Sequence, residues 1–365
     1  KVYFRQFQRQ QLFQELLRQA KDVKPDSIIG GNPAIYRWPY NDSRIHTYVP
    51  DLGKTHHLVC AENGLFPARA GDTIRHQSVA YRQAAGNDFR IFPSHHLYHG
   101  DSLRWPDTNE AVLSLCEGLA FGGHVCCTTW GIRMDGGADK ALWQRPEYLA
   151  ALKPVQKFLA GHRDIFNGVQ QNAKGGIYLN RECMAVDWQQ AWYSLHGTIQ
   201  ALMLNQIPFR FVDTDDKEKL AGLELLIIPS MRLISDKMFD DLMAFSETSR
   251  MLLTGESLRY DEHFLKRKDS DLAPLAGSGN SMSIQDRPEA VTDSSIEKHG
   301  AYVLNIPAPE REVELMSAIT SLYSPEINVD GSRFVGVDTF EKPDGSRFIH
   351  LLNYDNNNPC NLSID

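Results

Sequence analysis

His57-Leu58-Val59-Cys60-Ala61-Glu62-Asn63-Gly64 sets the reading of the first half of the chain. Its apolar part runs without alternation, the composition of a strand buried on both faces of a parallel sheet. The run stops at a carboxylate, an amide and a glycine. The same pattern recurs on either side. Upstream, apolar residues at Phe4, Phe7, Leu12, Phe13, Leu16, Leu17 and Ala20 have helical spacing until Pro25. Ser27-Ile28-Ile29-Gly30-Gly31-Asn32 then reads as a short buried strand, followed by an aromatic-rich loop over 33–53. Downstream come a helix over about 72–85 and a strand over 89–92. That strand runs into Pro93-Ser94-His95-His96-Leu97-Tyr98-His99-Gly100. A helix over 109–121, a strand over 125–130 and a helix over 146–162 complete the series.

Strands alternating with helices of this length imply parallel βαβ units. Each strand ends in polar or aromatic residues: Asn32, Glu62, the histidines after Phe92, then Trp130 with Arg133 and Asp135. In a (β/α)8 barrel such strand ends carry the site. Residues 1–167 are therefore expected to be the C-terminal half of a TIM barrel. The opening helix would follow the fourth strand, and the chain starts at Lys1 without a Met. The remaining strands and the natural N-terminus are expected upstream.

A second alternating region spans 168–325. Ile177-Tyr178-Leu179, Phe209–Val212, 223–229 and 251–255 read as strands, with helices over Trp188–Leu204 and 236–246 between them. This is the pattern of a flavodoxin-like, doubly wound α/β domain. Residues 266–298 read as a polar loop, with a strand at 302–304 and a helix over 312–322 beyond. Two strands around Pro343-Asp344-Gly345, 334–337 and 348–354, form a hairpin expected to start a small β domain over 326–365.

Of the 365 residues 42% are hydrophobic and 23% charged, and 38 basic against 46 acidic residues leave a net charge of −8. That balance lacks the basic stripe of a nucleic-acid binder. No apolar run is long enough to span a bilayer. The six cysteines show no CxxC spacing, which argues against a zinc site and towards a reducing, cytoplasmic compartment.

Glu62 is the leading catalytic candidate, since a carboxylate directly after a buried strand is placed at the barrel mouth. Hydrolysis of a glycosidic bond needs two such groups; Asp135 or an upstream strand would supply the second. Burial beside the aromatic loop would raise the Glu62 pKa and suit it to donate a proton. A structural ion pair with Arg69 or Arg75 is the competing role. Asn32, His96, His99, Trp130 and Arg133 are candidate substrate-binding residues. Their amide, imidazole and guanidinium groups hydrogen-bond hydroxyls, and Trp130, like Trp38, Tyr36 and Trp105, offers a face for a pyranose ring. His95, His96 and His99 lack a carboxylate at ligand spacing, so no metal site is expected. In the second region, Gly255-Glu256-Ser257-Leu258 and Pro229-Ser230-Met231 do not make a nucleophile elbow, and no glycine-rich phosphate loop is present.

The order of parts resembles the trimeric β-galactosidase-like glycoside hydrolases, in their uncharacterised hypothetical branch. The resemblance rests on Phe4-Arg5-Gln6-Phe7, Lys24-Pro25-Asp26, Leu225-Leu226-Ile227-Ile228-Pro229-Ser230 and Phe348-Ile349-His350-Leu351-Leu352-Asn353-Tyr354. It implies a barrel joined to a degenerate, amidotransferase-like trimerisation domain and then a β domain. It also implies a bacterial enzyme acting on carbohydrate without a cofactor, assembled as a homo-oligomer, a trimer first. The Asn-Glu acid/base pair of β-galactosidases lies upstream, and their nucleophile lies on a later strand than Glu62. A scaffold that kept carbohydrate binding or assembly and lost catalysis is the alternative.

Overall fold

The computed structural model describes residues 2–28, 30–31, 56–63, 67–70, 72–76, 78–86, 90–96, 107–122, 128–130, 146–180, 183, 188–212, 217–277, 280–284, 309–355 and 358–364. They form two compact units. The first takes in Lys1–Gln171 and Phe334–Cys360, and the second takes in Asn172–Ser295, Leu304–Arg333 and Asn361–Asp365.

The first unit opens with helix α1 (Val2–Val23) and strands β1 (Gly30–Gly31) and β2 (Leu58–Asn63). After a small hairpin, β3 (Ala68–Ala70) and β4 (Thr73–Arg75), come α2 (Ser78–Ala85), β5 (Arg90–His96) and α3 (Thr108–Ala120). Strand β6 (Thr128–Trp130) and helix α4 (Pro146–Gly161) follow. The four strands β1-β2-β5-β6 form one parallel sheet in chain order. Consecutive strands neighbour one another without the reversal of a doubly wound sheet, which is the winding of a (β/α) barrel. Helix α3 begins at a capping box: Asp107 Oδ1 accepts from the Glu110 amide at 2.8 Å, and Glu110 accepts from the Asp107 amide at 3.0 Å.

Two sequence expectations change here. The helix expected from 72 starts only at Ser78, because Ala68–Ala70 and Thr73–Arg75 pair as an antiparallel hairpin. The strand carrying the histidines continues through Pro93 to His96. Its ends pair with β2 on one side and β6 on the other, and that pairing overrides their polar composition.

Strands β13 (Val335–Glu341) and β14 (Arg347–Asn353), the hairpin placed by sequence at the start of a further domain, belong to this first unit. With β7 (Gln170–Gln171) they make a three-stranded antiparallel sheet, and β14 lies against α3. Polar groups pin it. Arg82 and Asp338 pair at 2.8 Å with side chains 1% and 0% exposed. Asp338 also accepts from Gln171 at 2.9 Å and from the Thr339 amide at 2.9 Å. The Arg82 guanidinium lies 4.4 Å from the Phe121 ring centroid. Tyr354 donates to the buried Glu117 carboxylate at 2.7 Å. His350, opposite Asp338 in the hairpin, hydrogen-bonds the Ala120 carbonyl at 3.1 Å.

Burial shifts the titration of two histidines in this unit. The His76 pKa is pushed down to about 3, by burial and then by the nearby Arg82 charge. Burial also lowers that of His350, against the opposing pull of the Ala120 carbonyl and Asp338. In the unfolded chain both rings take up a proton near pH ~6.5, before the folded protein does. Stability is therefore expected to fall as pH drops below ~6.5, by about 1.4 kcal/mol per pH unit for each ring until its folded pKa is reached. Urea midpoints at about pH 7 and about pH 5 measure this; equal midpoints would show both rings already protonated in the native state.

The second unit contains β8 (Gly175–Tyr178), α5 (Trp188–Leu204), β9 (Phe209–Val212), β10 (Leu225–Pro229) and α6 (Asp236–Thr248). Strand β11 (Arg250–Thr254), helix α7 (Asp269–Gly277), β12 (Ser281–Ile284) and α8 (Pro309–Leu322) follow. Its sheet is parallel, in the order β12-β11-β10-β8-β9. Numbered along the chain this is 2-1-3-4-5, the flavodoxin-like order. Strand β10 is buried at every residue. Gly176 lets β8 pass under Leu223, whose Cδ1 a Cβ would approach to 2.7 Å.

Residues 266–298, read as a loop, contain both α7 and edge strand β12. An edge strand buries little surface and so carries a polar sequence, which hid it. The strand expected at 302–304 lies outside the described residues. In helix α5, Leu195, Ile199 and Leu202 are 0%, 0% and 1% exposed within one chain. The helix lies against β10 and α8.

Candidate functional site

The four-stranded sheet of the first unit brings three of the expected site residues to one place. Parallel pairing sets Glu62 opposite Ser94 and Asn63 opposite His95. It sets Ser94 opposite Thr128, His95 opposite Thr129 and His96 opposite Trp130. Positions alternate between faces along a strand, and paired positions share a face. Glu62, Ser94, His96, Thr128 and Trp130 thus fall on one face at the C-terminal end of the sheet, and Asn63, His95 and Thr129 on the other. His95 and His96, adjacent in sequence, are separated by the pleat. Asn32, His99 and Arg133 lie outside the described residues, as do Tyr36, Trp38, Trp105 and Asp135.

Arg69, one of two possible ion-pair partners considered for Glu62, reaches the hairpin. It pairs with Asp355 at 2.8 Å, stacks 4.0 Å from the Phe334 ring centroid, and its amide donates to the Tyr354 carbonyl at 2.7 Å. Glu62 is the one carboxylate at a C-terminal strand end of this sheet among the described residues. Among the described residues no group of three or more His, Cys, Asp or Glu could hold a metal ion, and no helix is long and apolar enough to cross a membrane.

Sequence reasoning missed the Arg82–Asp338 and Glu117–Tyr354 pairs. One signal was present: Asp338 interrupts the apolar strand Val335-Gly336-Val337-Asp338-Thr339-Phe340. A charge there needs a buried partner. These pairs join helices α2 and α3 to the hairpin and are a structural lock.

In the second unit a ligand would bind at the switch point, between the C-terminal ends of β8 and β10. The loops leaving those strands are instead tied together, with the Leu233 amide 2.8 Å from Cys183 Sγ. Ser230, Met231, Leu233 and Ile234 are buried. The turn after β11 has Gly255 at φ 56°, and Ser257 donates inward to the Ile228 and Thr254 carbonyls at 2.7 Å each. That hydroxyl is 5% exposed as a residue and engaged with backbone, so it is not presented as a nucleophile.

No family model matches the sequence, and a comparison with curated proteins finds none similar in sequence. Solved structures do match in fold. An exo-carrageenase of GH42 from Bacteroides ovatus superposes with a TM-score of 0.62 at 13% identity, over 99% of this chain and 55% of that one. A β-galactosidase from Bacillus circulans sp. alkalophilus gives 0.60 at 13% identity, over 75% and 43%. The β-galactosidase from Rahnella sp. R3 gives 0.59 at 12%, over 100% and 67%. The chain spans about half the length of the first two. At these identities the likeness is one of fold: a mixed α/β, glycosidase-like architecture built on a parallel sheet.

Proposed function

We propose that the chain is part of a glycoside hydrolase that cleaves an O-glycosidic bond with paired carboxylates, Glu62 being one of them. The observation that carries this is the register of the singly wound sheet, which gathers Glu62, His96 and Trp130 on one face at its C-terminal end. A carboxylate, an imidazole and an indole together suit a sugar: proton transfer, hydroxyl hydrogen bonding and ring stacking. Asn32, His99 and Arg133 would complete the pocket, and Asp135 or an upstream strand would supply the second carboxylate. The reaction needs no cofactor. Residues 1–167 would be the barrel part, 168–325 the assembly part, and 326–365 the β part, whose hairpin joins the compact unit of the barrel part.

A panel of aryl glycosides, with β-galactosides first, tests the reading on the full-length protein through release of the aryl group. Binding of the same sugars without turnover would favour a second reading, a carbohydrate-binding protein on a degenerate scaffold.

The second unit would serve self-association, a trimer by the resemblance. The support is its flavodoxin-like sheet with a switch point closed by its own loops. Sedimentation of the intact protein at micromolar concentration is expected to show an oligomer with cyclic symmetry. A clean monomer would end the assembly role.

A further inference from the structure

The hairpin of β13 and β14 is held to α2 and α3 by charged and polar groups, and one of those groups titrates near neutral pH. Asp338 pairs with Arg82 of α2 at 2.8 Å, and the Val337 carbonyl accepts from the same guanidinium at 3.2 Å. Tyr354 donates to Glu117 of α3 at 2.7 Å. His350 stands opposite Asp338 in the hairpin, with its Nδ1 3.1 Å from the Ala120 carbonyl at the end of α3. A carbonyl only accepts, so Nδ1 carries the ring proton and Nε2 the lone pair. Nε2 is buried and has no hydrogen-bond partner among the described residues. The Phe340 and Phe166 rings lie against the imidazole, with centroids at 4.9 and 5.4 Å.

We propose that the hairpin over 334–354 is an acid-released latch: protonation of His350 loosens it from α2 and α3 while the second unit stays folded. This goes beyond the glycosidase reading and does not depend on it. A second proton on the ring goes to Nε2, into a core that already holds a cation. From α2 the ring meets the charge of Arg82, with His76 close to that guanidinium. From α3 it meets Glu117, which Tyr354 engages, and from β7 the neutral Gln171. On the side of Phe166 the next titratable group is the exposed His162, stacked 4.4 Å from Phe158. The carboxylate on its own hairpin, Asp338, is already committed to Arg82, Gln171 and the Thr339 amide. Docking therefore disfavours the imidazolium, and a hairpin released into water takes the proton at about pH 6.5. Burial lowers the His350 pKa in the docked state, as this requires. The sign follows: the docked state binds fewer protons, so its hold weakens as pH falls below about 6.5. Release is local because Arg82, Glu117, Gln171, Asp338, His350 and Tyr354 all belong to the first unit.

The test is hydrogen–deuterium exchange of the full-length protein at about pH 7 and about pH 5, corrected for the intrinsic pH dependence of amide exchange. Peptides over 335–341 and 347–353 are expected to lose protection by about tenfold at the lower pH, while those over 225–229 in the second unit keep theirs. His350→Asn keeps a donor for the Ala120 carbonyl and does not titrate, so it should remove most of that loss. If His350→Asn does not fold, His350→Phe keeps a ring between Phe340 and Phe166 and should remove the loss as well. Hairpin protection that is equal at both pH values overturns the proposal. So does a loss shared equally by 225–229, which is global unfolding, or a loss that persists in a folded His350→Asn or His350→Phe.

Discussion

Glu62→Gln in the full-length protein is expected to cut turnover of a cleaved glycoside by about 10²–10⁴-fold while the protein stays folded. The amide keeps the volume and polarity of the carboxylate but cannot exchange a proton or attack an anomeric carbon. A position at a barrel strand end tolerates that change structurally. KM should move little by comparison, because the loss falls on the transition state and not on sugar binding. His96→Ala and Trp130→Ala should show the contrasting signature, weaker binding with smaller losses in turnover. Steady-state kinetics with a thermal melt of each variant measure all of this. Undiminished turnover in Glu62→Gln would remove Glu62 from the mechanism.

Asp338→Ala is expected to cost about 3–5 kcal/mol of stability, because it leaves the Arg82 guanidinium buried without its carboxylate. Arg82 is 1% exposed; besides Asp338 it donates to the Val337 carbonyl at 3.2 Å, faces the Phe121 ring and feels the buried Glu117 charge. Burial raises the Asp338 pKa and lowers that of Arg82, in both cases against the attraction of the partner. Each ion thus carries a desolvation cost that the pair offsets only together. Replacing both, as Arg82→Met with Asp338→Leu, should therefore recover much of the loss. Urea unfolding of the two single variants and the double variant decides this. A double variant as unstable as the sum of the singles would show that the two residues do not act as a pair.

Much of this architecture was legible along the chain. His57-Leu58-Val59-Cys60-Ala61 and Leu225-Leu226-Ile227-Ile228 read as buried strands because a strand covered on both faces has no polar positions, and that is a local property. Alternation with helices then implied parallel sheets. The register that places Glu62 with His96 and Trp130 on one face was not legible. A one-residue slip between β2 and β5 would leave both sequences equally well formed while moving Glu62 to the opposite face. Edge strand β12 escaped notice for a related reason: it buries little, so its sequence carries little signal.

By itself, then, the sequence determined the elements with strong burial, their alternation, and a polar cluster at each strand end of the first half. Tertiary structure alone decided which of those clusters meet and where the hairpin docks. It also decided that Leu195, Ile199 and Leu202 of α5 are buried within their own chain and that Arg82 finds Asp338 across most of the chain's length. The reason is physical. Periodicity records whether a residue is buried, which each segment expresses alone. Partnership between residues far apart is set by strand register and topology, and no local stretch of sequence contains those.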